Sequence, residues 1–197
     1  MDFGPWTLTI FRMKKTIDEF VQGLCAIDKE AFTIPRVDRY LEENPVDPAS
    51  LAPYLFYNPE RYTRNLIYKC DLFELLTICW DEGQGSSIHN HQNQNCWMAV
   101  PIGRLLVQNY EVVRVDQATG FCELKIANRL VMDPERPSFV DPEMPVHAVL
   151  NLPEYKQRAT SLHVYSRPYD HCLVYSLNQK SYQNKALSYD SEYGRLR

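Results

Sequence analysis

The chain has 197 residues, of which 45% are hydrophobic and 23% charged, an ordinary balance for a globular protein with one core. A formal net charge of −4 and a pI near 5.7 exclude the clustered basic surface that nucleic acid or an anionic membrane requires. No apolar run approaches the roughly 18 residues of a membrane span, and Met1–Lys15 lacks the small-residue cleavage pattern of a secretory signal. The expected setting is therefore the cytoplasm, with free thiols at five of the six cysteines (25, 70, 79, 122 and 172, Cys96 being the exception).

The first sixty residues read as helical. Thr16-Ile17-Asp18-Glu19 is a capping box, followed at helical spacing by Ile17, Phe20, Val21, Leu24 and Ile27. Ile34–Leu41 predicts a second helix with Pro35 in its first turn and Pro45 beyond its end. Asp47-Pro48 opens a third, with an acceptable N-cap and a proline at the first helical position. From Tyr62 the texture becomes β. Runs rich in β-branched and aromatic residues predict strands at Phe73–Trp80, Trp97–Ile102, Leu105–Val115, Phe121–Met132, Ala148–Leu152, Thr160–Tyr165 and Leu173–Leu177. Turn signals such as Asp81-Glu82-Gly83 and Asp133-Pro134 separate them. The polar tail Ser181–Arg197 is expected to pack along the outside. These elements imply one mainly β domain over 1–197, with a helical cap at 1–60 and a small barrel or sandwich with its tail at 61–197. Nothing suggests an exposed apolar helix, so a monomer is expected.

Three of the five histidines carry the chemistry. Residues two apart on a strand share a face, so His89-Asn90-His91 offers two imidazoles to one interior point, and another strand can supply His147. Three neutral imidazoles leave a divalent ion its full charge and open positions, which favours anionic ligands such as a thiolate. Zinc would accept the same ligands. Ser161, His163 and Tyr165, spaced i, i+2, i+4, share one strand face and can form a hydrogen-bond relay.

Gly83, His89-x-His91, Cys96 and Gly103 have the spacing of the first cupin motif, with Cys96 in place of the usual acidic ligand. The second motif is partial: Pro142 stands five before His147 and Asn151 four after it, while Arg136 and Met144 replace its glycines. The segments Arg61-Tyr62-Thr63-Arg64-Asn65-Leu66, Cys79-Trp80-x-Glu82-Gly83-x-Gly85-Ser86-Ser87-Ile88-His89-x-His91, Ser161-Leu162-His163-Val164-Tyr165-Ser166 and Asn184-Lys185 then resemble cysteine dioxygenase. The resemblance runs from about Arg61 to the C-terminus. It implies a cupin-type, jelly-roll-like barrel holding mononuclear Fe(II) on His89, His91 and His147, with O2 as co-substrate and a small thiol as substrate. It also implies that Arg64 binds the substrate carboxylate with Tyr62 beside it, and that Tyr165, oriented by His163 and Ser161, points at the carboxylate and the oxygen site. Cys96 matches the cysteine that forms a thioether with the tyrosine in animal enzymes, so a Cys96–Tyr165 cross-link is expected. Where those enzymes have Ser-Pro-Pro, this chain has Ser166-Arg167-Pro168. A non-proline cis bond costs about 2.5–4 kcal/mol, so a trans Ser166–Arg167 bond is expected.

The implied reaction converts L-cysteine and O2 into L-cysteine sulfinate. Arg64 favours cysteine, whereas Arg167 resembles 3-mercaptopropionate dioxygenases, leaving that thiol as the near alternative. A non-catalytic metal-binding cupin and a zinc or manganese isomerase are the competitors from other classes. His171 and Cys172 are expected near the pocket entrance without a catalytic role.

Overall fold

The computed structural model describes residues 13–134, 138–139 (backbone only) and 145–197. Expectations resting on Met1–Arg12, Arg136, Pro142 and Met144 lie outside the described residues.

The helical cap forms as its local signals dictate. Thr16 accepts the Glu19 N–H at the start of α1 (Ile17–Cys25), and Glu19 reaches back to the Thr16 backbone. The second helix, α2 (Ile34–Glu43), starts with Pro35 in its first turn. The third segment, Pro48–Tyr54, is a 3-10 helix and not an α-helix. Pro53 lies inside it and has no N–H to give to an i−4 bond, which favours the shorter, tighter winding.

Thirteen strands are found among the described residues: β1 (Thr63–Lys69), β2 (Phe73–Trp80), β3 (Ile88–His89), β4 (Cys96–Ile102), β5 (Leu105–Asp116), β6 (Phe121–Met132), β7 (Ser138–Phe139), β8 (Val146–Leu150), β9 (Ala159–Ser166), β10 (His171–Ser176), β11 (Ser181–Ala186), β12 (Ser191–Glu192) and β13 (Arg195–Leu196). One sheet runs β13-β12-β1-β2-β9-β4-β7. The other, β10-β11-β6-β5-β8-β3, closes on itself because β3 pairs with both β8 and β10. This is the cupin-type jelly roll.

Every residue of β2 is buried because the strand is covered on both faces. Phe73 and Leu75 pack with Trp97, Leu162 and Val164 against Phe20, Leu24, Val37 and Leu41 of the cap. Ile78 and Trp80 face the second sheet and join Met98, Leu105, Val107, Met132 and Val149. The two cupin-motif glycines have backbone reasons. Gly83 has φ +79° and Gly103 φ +78°, and at Gly103 a Cβ would collide with the Arg158 carbonyl.

The tail departs from expectation. It is not only a segment packed along the outside: it supplies three strands, and β12 extends the first sheet through parallel pairing of Ser191 and Glu192 with Asn65 and Leu66. Ser191 is fully buried and donates from its hydroxyl to Asn65 Oδ1 at 2.9 Å. β1, which also lacked a strand expectation, forms because β2 and β12 pair with its two edges.

Candidate metal centre and substrate pocket

The inward faces of β1, β2, β8 and β9, together with the turn after β3, build the site. His89 in β3 is the direct cross-strand partner of His147 in β8. His91 lies just past β3, where Asn90 N–H donates to Leu173 O and Asn90 Oδ1 accepts the Leu173 N–H, so the chain stays extended. The ring centroids form a nearly equilateral triangle, 5.1 Å for His89–His91 and 4.8 Å for each of the other pairs. Their ligating atoms lie within 4.8 Å of one another.

Hydrogen bonding supports a cation here. His89 Nδ1–H donates to the Ser87 carbonyl at 2.9 Å, which leaves Nε2 free to ligate. His91 Nε2 and both ring nitrogens of His147 are buried without a partner. Buried polar atoms are otherwise almost always paired, so these orphaned nitrogens fit a metal ion. Burial, chiefly, pushes the His89 imidazole down to about 4 and His91 and His147 well below the ordinary range. All three are therefore neutral ligands near pH 7.

This has a consequence for the metal-free protein. The unfolded chain binds protons at these histidines below about pH 6.5 and the folded chain does not, so stability is present above that pH and lost as pH falls. Thermal melts of the metal-free chain should show Tm falling steeply from pH 7 to pH 5. A flat Tm across that window would contradict the buried neutral trio.

Beside the triangle runs a polar chain on β9. Trp80 Nε1–H donates to Ser161 Oγ (3.0 Å), Ser161 Oγ contacts His163 Nε2 (2.8 Å), and His163 Nδ1 contacts Tyr165 OH (3.1 Å). Burial pushes His163 down to about 3, so its ring is neutral. With Trp80 able only to donate, the consistent arrangement has Ser161 donating to Nε2 and Nδ1–H donating to Tyr165. The Tyr165 hydroxyl proton is then directed at the pocket. Tyr165 is fully buried, its ring 5.8 Å from that of His91. Cys96 in β4 is its cross-strand partner, packs in the same cluster, and brings Sγ to 3.8 Å from His163 Nδ1.

The pocket is lined by Tyr62, Arg64, Trp80, His89, His163 and Tyr165 among others. Arg64 Nε and Nη2 are buried without partners, so the side-on edge of the guanidinium fork is open. Tyr62 stacks on Trp80 at 4.7 Å between centroids. The structure therefore gathers His89, His91, His147, Tyr62, Arg64, Cys96, Ser161, His163 and Tyr165 in one region of the barrel, and other residues noted in the sequence lie elsewhere. Asn151 plays a different part: its Nδ2 donates to the carbonyls of Asp81 and Gln157, which ties the β2 exit to the start of β9. Cys172 lines the pocket, while His171 sits at the surface against Asp170. Arg167 is exposed with φ +69° and does not line the pocket, and no peptide bond among the described residues is cis.

Four pocket neighbours were given no role from the sequence, although Trp80 and Lys185 stand in the segments that carry the resemblance. Trp80 anchors the relay, Lys185 lines the mouth, Tyr169 sets its ring against Tyr165 at 5.1 Å, and Glu74 is a fully buried carboxyl opposite Tyr165. The alternation of β2 could have flagged Glu74, an acid within an otherwise apolar eight-residue strand. A larger cavity of ≈ 300 Å³ opens between the cap and the outer face of β4, and none of the candidate residues lines it.

A jelly roll with three inward histidines whose ligating atoms converge defines a metal-binding cupin. The chain belongs to the cysteine dioxygenase type I family, whose model matches residues 9–178. It is 30% identical over 169 residues to cysteine dioxygenase type 1 of Rattus norvegicus (82% of this chain, 78% of that protein). To the Homo sapiens protein of that name it is 29% identical over 163 residues, with the same shares covered. To that of Danio rerio it is 24% identical over 182 residues, covering 91% and 89%. The protein is accordingly an oxidoreductase of the dioxygenase type. No helix among the described residues is long and apolar enough to cross a membrane.

Proposed function

We propose that this chain is a mononuclear Fe(II) enzyme that oxidises L-cysteine with O2 to L-cysteine sulfinate, both oxygen atoms entering the sulfur. The observation that carries the reading is the open edge of Arg64 beside a cluster of three histidines, two of which, His91 and His147, hold buried nitrogens without a partner among the described residues. Fe(II) held by His89, His91 and His147 would supply a Lewis-acidic centre that favours thiolate over thiol and accepts O2. The chain's own residues do the rest. Arg64 takes the substrate carboxylate on its Nε–Nη2 edge, a bidentate grip that fixes the position of the sulfur. Tyr62, held flat by Trp80, closes the carboxylate end. Tyr165 presents a hydroxyl proton to the pocket, because His163, held by Ser161, occupies its acceptor side. Arg167 is exposed and outside the pocket lining, so no observation favours 3-mercaptopropionate.

The test is O2 consumption by the Fe(II)-loaded chain with L-cysteine and 3-mercaptopropionate side by side, with products identified. Stoichiometric O2 uptake and sulfinate from L-cysteine is the expected result. Faster turnover of 3-mercaptopropionate would overturn the substrate, and bound iron without uptake from either thiol would overturn the activity.

The pairing of Cys96 with Tyr165 supports a thioether. Its formation removes one hydrogen from Sγ and one from the tyrosine ring, with dioxygen accepting the two electrons. Protein purified after turnover should be lighter by two hydrogens, and Cys96→Ala should abolish that mass difference while retaining activity. Unchanged mass in the turned-over protein would sink this expectation.

A further inference from the structure

Arg167 has a backbone that its own side chain does not account for. Its φ of +69° lies in the left-handed region, which residues other than glycine, asparagine and aspartate seldom enter. The side chain is exposed and outside the pocket lining, so the turn serves the backbone. Hydrogen bonds pin the bend formed by residues 166–170 at both ends. Ser166 N–H donates to Asn95 O at 2.9 Å, and Ser166 Oγ accepts the Asn95 N–H at 2.8 Å. Arg167 N–H donates to Leu72 O, and Asp170 O accepts the Leu187 N–H, each at 2.8 Å. Between these anchors stands Tyr169, which lines the pocket and meets Tyr165 in a T-shaped ring pair. Their centroids are 5.1 Å apart and their planes 75° from parallel.

The ring of Tyr165 is held from several sides. β9 fixes its backbone, and the 3.1 Å contact with His163 Nδ1 fixes its hydroxyl. The His163 ring stacks at 5.7 Å, and Arg64 Cζ lies 6.0 Å from the centroid. Tyr169 closes the side that the bend supplies, and both tyrosines pack in one cluster with Leu66, Leu76 and Cys96. A phenol free to swing about its side-chain torsions would leave His163 and lose the direction of its hydroxyl. We propose that Tyr169 is a positioning residue for Tyr165: the left-handed turn at Arg167 seats its ring there and keeps the phenol on His163 before any thioether fixes it. The inference rests on the role given to Tyr165 above. The ring and not the hydroxyl of Tyr169 makes the contact, so phenylalanine should serve as well.

Three variants test this. Tyr169→Leu keeps apolar bulk without the ring, Tyr169→Phe keeps the ring, and Arg167→Gly removes the side chain while keeping the turn, since glycine enters positive φ freely. In the metal-free chain the buried His163 Nδ1–H should give a slowly exchanging proton resonance, assigned by its shift in Tyr165→Phe. It should persist in Tyr169→Phe and Arg167→Gly and broaden away in Tyr169→Leu. In the Fe(II)-loaded chain with L-cysteine, Tyr169→Leu should lower kcat about tenfold, the scale of one aromatic pair, with KM and metal content unchanged. Tyr169→Phe should restore the wild-type rate. A wild-type resonance and kcat in Tyr169→Leu would overturn the proposal. So would a Tyr169→Phe protein that behaves like Tyr169→Leu, a resonance lost in Arg167→Gly, or a Tyr169→Leu protein whose metal content and KM deteriorate together with kcat. Wild-type protein without O2 uptake would overturn the role of Tyr165 itself, while the metal-free resonance would still decide whether Tyr169 holds its ring.

Discussion

Replacing His147 by Ala should leave the chain folded and unable to retain Fe(II), with metal content near zero after gel filtration and O2 uptake abolished. His147 contributes two buried ring nitrogens that no acceptor or donor among the described residues uses. Loss of one ligand of three should weaken metal affinity by at least about a hundredfold, more than the 10–100-fold effect of removing a residue that only orients a ligand. Folding should survive, because the cluster around His147 (Tyr110, Val146 and Ala148) is apolar and remains intact. Metal analysis beside circular dichroism separates the two effects. A folded His147→Ala or His89→Ala protein that keeps iron and activity would refute the three-histidine site.

Arg64→Ala should raise KM for L-cysteine by roughly a hundredfold or more, since a buried bidentate charge-assisted pair contributes about 3 kcal/mol or more to binding. The metal content should be unchanged. The effect should be absent for 2-aminoethanethiol, which has no carboxylate to lose. Arg64→Lys should recover little of the loss, because an ammonium offers a point charge in place of the planar Nε–Nη2 edge. Steady-state kinetics on both thiols decides the matter. Equal losses with the two substrates would mean that Arg64 holds the fold of the pocket and not the carboxylate.

These expectations trace back to features with different legibility. The His89–His91 pair was readable because its information is short-range. Two histidines two positions apart must share a face in extended chain, and the spacings of Gly83 and Gly103 mark turns that need positive φ. The relay was readable for the same reason, since Ser161, His163 and Tyr165 lie on one strand. Helix starts were readable from Thr16 and Pro35, whose effects act within one turn.

What the sequence by itself determined, then, is the local pattern: the capping box, the alternation of the strands, the histidine pair and the in-line relay. Tertiary structure decided everything that depends on partners distant in the chain. Thr63–Lys69 and the polar tail have weak strand signals of their own, and become strands because each supplies the other with backbone partners at Asn65–Ser191 and Leu66–Glu192. Trp80 joins the relay only because β2 lies beside β9, 81 residues from Ser161 in sequence. Glu74 meets the Tyr189 hydroxyl, 115 residues away in sequence, only when the tail closes on the sheet beside β2. Hydrogen bonds and electrostatics act over ångströms in space, and the chain brings those atoms together only by folding.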